Sequence, residues 1–194
     1  MKKVAWGMAF YMLGGPIVFL LMMVLPLDLL PGAGVYYASI LISGLTVAGG
    51  FYLLMRGAEA LGYGGNVEWV RKISMVLAAY GLAETVLLLL DLMPDLGVVN
   101  TILAYACSLG GFLAVYMMTT SMVEIQLFRR IELYARELQK WFTIWVLAGF
   151  VGSLISALAM IAALVELAAA VVMVVYFFRA ARNYDRGGGN FRVM

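Results

Sequence analysis

Long stretches without charge constrain this chain more than any motif in it. Residues Val4–Leu25, Gly34–Met55 and Val98–Val123 contain no Asp, Glu, Lys or Arg, while Ile73–Leu90 holds only Glu84 and Trp141–Phe178 only Glu166. A helix needs about 20 apolar residues to cross a ~30 Å hydrocarbon core, and every run is near or above that length. Trp141–Phe178 is long enough for two crossings, with a fold-back expected near Ser156–Ala162. Of the 194 residues, 65% are hydrophobic and 12% charged, about half the charge of an average soluble domain. A soluble globular enzyme is thereby excluded. The expected fold class is all-α, a polytopic membrane protein of six transmembrane helices whose first partner is the lipid bilayer. Lys2 and Lys3 precede the first run as in a signal peptide. Its apolar part exceeds the 7–15 residues of that class, so it reads as a retained span.

The basic residues then give the topology. Lys2 and Lys3 precede the first run, and Arg56, Arg71 and Lys72 separate the second from the third. Arg129, Arg130, Arg136 and Lys140 separate the fourth from the fifth, and Arg179, Arg182, Arg186 and Arg192 follow the sixth; these are all 13 Lys and Arg. The alternate loops hold none. The positive-inside rule therefore puts both termini in the cytoplasm, and the expected location is the cell (plasma) membrane, multi-pass. A net charge of +2 does not point to nucleic acid.

An internal repeat is also expected. Leu27-Asp28-Leu29-Leu30-Pro31-Gly32-Ala33-Gly34-Val35 aligns with Leu90-Asp91-Leu92-Met93-Pro94-Asp95-Leu96-Gly97-Val98. At the same offset Trp6 meets Trp69, and Trp141 opens the fifth run in the equivalent place. The reading is three tandem helical hairpins (residues 4–55, 73–123 and 141–178) within a single domain, residues 1–180. They are parallel pseudo-repeats about an axis along the membrane normal. Helix capping at an interface would produce the same Asp-x-x-Pro-x-x-Gly turns. Residues 124–140 lack Gly and Pro and place Leu127, Ile131, Tyr134 and Leu138 at helical spacing, with Glu132 and Arg136 at i,i+4. This predicts an amphipathic cytoplasmic helix. Residues 181–194 are expected to form a flexible cytoplasmic tail.

Chemistry is sparse. With no His and one Cys, histidine-based metal and haem sites, His-dependent nucleophile pairs and internal disulfides are excluded. No enzyme, cofactor or metal site is expected. Cys107 reads as a small packing residue, and the 14 Met as gap filler. Two carboxyls remain inside the spans. At about 1.5 Å per residue, Glu84 lies about 12 Å and Glu166 about 8 Å below the outer helix ends, depths similar enough to share a cavity. Tyr80 and Gly81 precede Glu84 on its own face, and Ala162, Ala163, Ala169 and Ala170 surround Glu166. Charged groups at such depths face protein or water. Glu84, Glu166 and Tyr80 are thus the candidate proton, cation or substrate site, with a neutral hydrogen-bonded link between helices as the structural alternative.

Small residues recur at Ala5/Ala9, Gly44/Ala48, Ala106/Gly110/Ala114 and Gly149/Ser153/Ala157, faces suited to close helix contact, a homo-oligomer or a membrane-complex partner. Arg129, Arg130 and Arg136 are the candidate partner-docking residues. In layout the chain is similar to the substrate-binding subunits of energy-coupling-factor vitamin transporters, with Ala5-Trp6-Gly7-Met8-Ala9 standing where their first span carries a small-residue motif. It also looks like small three-hairpin membrane proteins of the acid-resistance type. The likeness implies a layout and carries over no site residue. The expected function is transport or permeation of a small solute or cation using intramembrane carboxylates. The alternative is a non-catalytic accessory or assembly subunit of a larger membrane complex.

Overall fold

In hydrocarbon every backbone N–H and C=O must find a partner within the protein, and a lone apolar segment achieves this only as a helix. The computed structural model describes residues 1–24, 32–62, 64–92 and 98–187, which are helical apart from short turns. The helices are α1 (Lys2–Val24), α2 (Gly32–Leu61), α3 (Gly64–Leu89), α4 (Val98–Arg129), α5 (Ala135–Leu154) and α6 (Ala159–Gly187). A single 3₁₀ turn, Ser156–Leu158, joins the last two, at the expected fold-back. Among the described residues, four segments are long and apolar enough to cross a membrane: Gly34–Leu61, Gly64–Leu89, Val98–Arg129 and Ala159–Gly187. Helix α5 differs because Arg136, Glu137 and Lys140 occupy its first turns. Its uncharged part, Trp141–Leu154, is about 21 Å long at ~1.5 Å per residue.

Each helix packs antiparallel on the next, and α6 closes the ring on α1. Along α1 and α2, Val4 meets Gly57, Gly7 meets Leu54 and Phe10 meets Gly50. A methyl group on Gly7 would lie 2.7 Å from Leu54 N and 2.8 Å from Gly50 O, so this seam is backbone against backbone and admits only glycine. Between α2 and α3, Gly44 lies against Thr85, whose hydroxyl donates to Gly81 O at 2.6 Å. Leu77 covers Gly110 across α3–α4, and Asn66 Nδ2 donates to Glu124 Oε1 at 3.0 Å. The α4–α5 contact is aromatic: Phe112 and Tyr116 pack on Phe142, and Phe112 stacks near Trp145. Gly152 takes Ala162 across α5–α6. Finally Trp6 meets Phe178 edge-on at 5.0 Å, and Lys2 Nζ pairs with Asp185 Oδ2 at 3.2 Å.

This up-and-down order brings every described Lys and Arg to one end of the bundle. The core belongs to the same end. Met8, Leu54, Val70, Met118, Met122, Leu138, Met173 and Phe177 are all fully buried there. Toward the far end fewer side chains are buried, and residues 101–106 of α4 are exposed on every face, with Tyr105 at 73%.

Three expectations need correction or limitation. Residues 124–140 do not form one amphipathic helix. Helix α4 runs on to Arg129, Arg130 and Tyr134 adopt left-handed φ of 53° and 56°, and α5 starts afresh at Ala135. The break is held by side chains: Gln126 Oε1 accepts from Leu133 N (3.0 Å) and Ala135 N (3.3 Å), and Glu132 Oε1 accepts from Tyr134 N (2.9 Å). Leu133 is driven into the core, and the supposed common face is split, with Leu127 74% exposed and Leu138 fully buried. The tail is likewise shorter than expected. Residues 181–187 continue α6, fastened by Asp185 to Lys2, by Asn183 Nδ2 to Glu132 O at 2.9 Å, and by Tyr184 beneath Arg129; residues 188–194 lie outside the described residues. Most of the two repeated turns, residues 25–31 and 93–97 with Asp28, Pro31, Pro94 and Asp95, also lie outside them. Asp91, at φ 56°, is the left-handed residue of a Schellman turn in which Leu92 N donates to Leu87 O and Asp91 N to Leu88 O.

Candidate functional site

Where the packed end gives way to the open end, the helices enclose two cavities, each lined by one of the two intramembrane carboxyls. They are separate, so Glu84 and Glu166 do not share a cavity. The first, about 480 Å³, lies among α1, α2 and α3 and is lined by Ser39, Ser43, Gly44, Gly81, Glu84 and Thr85 together with apolar side chains. It borders the Gly44–Thr85 seam, where α2 and α3 come together. Thr85 spends its proton on Gly81 O, and Ser39 spends its own on Tyr36 O at 2.7 Å. Their oxygens keep lone pairs free, so the wall offers acceptors beside a half-buried carboxyl.

Tyr80, one turn before Glu84, and Cys107 from α4 both lie within electrostatic reach of the Glu84 carboxyl. Tyr80 itself is not among the residues lining the cavity. Cys107 is half-buried against the core; the sequence offered it only as packing.

The second cavity, about 310 Å³, is bounded by Tyr11, Pro16, Trp145, Ala163, Glu166 and Ala170 with two apolar neighbours. Glu166 reaches over α5 to Gly149, where a Cβ would stand 3.7 Å from Oε1. Tyr11, absent from the sequence-derived candidates, is the central member. Its ring packs on Phe51 at 4.9 Å, its hydroxyl abuts Gly111, and Glu166 is in electrostatic reach. Through this one side chain α1 touches α2 and α4 and faces the α6 carboxyl across the cavity. The only sequence sign of this was an otherwise unremarked Tyr in the first span.

Among the described residues neither Glu84 nor Glu166 accepts a protein hydrogen bond or pairs with a cation. Nor do any three Asp, Glu or Cys converge as a metal-ligand group among those residues. Chemically, each cavity offers one carboxyl with hydroxyl neighbours. Such a pair can take up a proton or a cation, or accept hydrogen bonds from a polar solute. The proposed docking residues are at the opposite, basic end. Arg129 is engaged on Tyr184, 4.4 Å from its ring, whereas Arg130 and Arg136 are exposed.

Compared with known protein families, curated proteins and solved structures, the chain shows no significant match to any.

Proposed function

We propose that the chain crosses the membrane six times with its basic end in the cytoplasm, and passes a small solute or cation by way of Glu84. The observation that carries this reading is the Glu84 cavity: a half-buried carboxyl with Ser39, Ser43 and Thr85, lying among α1, α2 and α3. An ionisable group at membrane depth is costly unless it is wetted, protonated or paired. A polar wall beside it reduces that cost and gives a permeant its first partner. The gathering of basic residues at one end supports the orientation, and Trp6 and Trp69, both half-exposed at that end, fit a membrane–water boundary there.

The test is flux in proteoliposomes, using a pH-sensitive dye with imposed proton, Na⁺ and K⁺ gradients. Wild type should exceed protein-free vesicles, with Glu84→Gln at least tenfold slower and Glu166→Gln affected less. Flux no greater than in empty vesicles, or unchanged in Glu84→Gln, overturns the proposal.

A second reading, a non-catalytic subunit of a larger membrane complex, is favoured by α4. Its far half exposes Val98, Ile102, Tyr105 and Leu109 along one stripe at i, i+4, i+7 spacing, as a helix awaiting a neighbour would. Under that reading a stoichiometric partner co-purifies from the native membrane and is lost in Ile102→Arg.

A further inference from the structure

We infer that the groove between the beginning of α1 and the end of α6 binds the phosphate-bearing headgroup of an anionic membrane lipid. The groove, about 510 Å³, is lined by Lys2, Trp6, Phe178, Arg182, Asp185 and Arg186 with Ala181 between them. Its two walls have the same vertical order. On α1, Lys2 stands one turn beyond Trp6; on α6, Arg182 and Arg186 stand one and two turns beyond Phe178. The Trp6–Phe178 edge-on contact therefore floors the groove, and the cationic groups ring its mouth.

The charge is unbalanced in one direction. Lys2 is neutralised by Asp185 at 3.2 Å, but Arg182 and Arg186 have no carboxylate within ion-pair distance among the described residues. Two planar guanidiniums one turn apart match phosphate oxygens by forked, charge-assisted bonds. Elsewhere at this end Arg56 pairs with Glu59, Lys72 pairs with Glu68, and Arg129 covers Tyr184.

What selects a lipid over a soluble phosphate is the surface below. Val171, Val175, Phe178, Arg182 and Arg186 follow one another at helical spacing along a single stripe of α6, and Val171 and Val175 are exposed. An acyl chain lying on the valines would lead past the aromatic floor to the guanidiniums. Trp6, 52% exposed, sits where indole rings favour the boundary between headgroups and hydrocarbon. Basic pockets between membrane helices at such a boundary take anionic headgroups. The site is independent of whether the chain transports anything.

The test is native mass spectrometry of the full chain in detergent, titrated with phosphatidylglycerol or phosphatidylcholine. Each basic residue near the surface accounts for about fivefold in affinity. Arg182→Gln/Arg186→Gln should therefore bind phosphatidylglycerol about 10- to 30-fold more weakly than wild type, and Arg182→Lys/Arg186→Lys, which keeps the charge but not the fork, should recover only part of that loss. Arg136→Gln/Lys140→Gln removes the same charge from α5 and should change binding less than threefold. The inference is overturned if both Gln pairs weaken binding equally, which marks general surface charge, or if the groove pair has no effect. Displacement of the lipid by millimolar inorganic phosphate also overturns it, since the groove then serves a soluble anion.

Discussion

The two ends of this bundle are built on opposite principles. At the basic end, glycines let α1 and α2 touch backbone to backbone, and a methionine-rich core is fully buried. Toward the far end α4 is exposed on all faces over residues 101–106, and the two cavities lined by Glu84 and Glu166 lie between the helices. Lipid supplies no hydrophobic drive between helices, so association depends on close packing. A bundle tight throughout would leave no room for a ligand between its helices at membrane depth, and one loose throughout would have no reason to hold together. Dividing the tasks places both unpaired carboxyls just beyond the packed region.

The sharpest way to break the comparison is to remove packing on one side only. Phe177→Ala, in the fully buried set, should cost about 3–5 kcal/mol. Leu164→Ala, 62% exposed on the far half of the same helix, should stay within about 0.5 kcal/mol. Thermal unfolding in detergent reads both, and equal losses would abolish the distinction. Next comes overpacking. Gly7→Leu meets Leu54 and Gly50 backbone and should cost about 3 kcal/mol, the upper end for forced insertion, whereas Ala106→Leu on exposed α4 should be near neutral by the same assay. Smaller still is the cation–π contact that fastens the end of α6. Arg129→Gln should cost about 0.5–1 kcal/mol, visible as faster hydrogen exchange over residues 181–187 with no change in the core.

These asymmetries were only partly legible in the sequence. Uncharged runs and the partition of Lys and Arg forecast helices whose basic ends gather together, because charge in a bilayer has few places to go. Gly7 and Gly57 were not read as a seam: small-residue spacing within one helix marks a face but does not say which helix faces it. The break at 130–134 left no Gly or Pro to announce it. There Gln126 and Glu132 satisfy the backbone in place of a helix, and the pull of Leu133 into the core is a tertiary effect. Glu84 and Glu166 stood out as charges in apolar runs, but that signal gives depth, not azimuth, and so did not separate their cavities. Tyr11 carries no charge and left no such signal.

If Glu84 serves a permeant, as proposed, its cavity is reached by water from the far end, while the packed core at the basic end excludes it. Cysteine accessibility tests it most directly, in a Cys107→Ala background in sealed vesicles with a charged, impermeant methanethiosulfonate reagent. Ser43→Cys, on the cavity wall, should react rapidly when the reagent is applied to the face opposite the basic end. Thr119→Cys, fully buried in the packed half, should resist it from both faces. A Ser43→Cys variant unreactive from either face, or a Thr119→Cys variant that reacts as fast, would contradict the account.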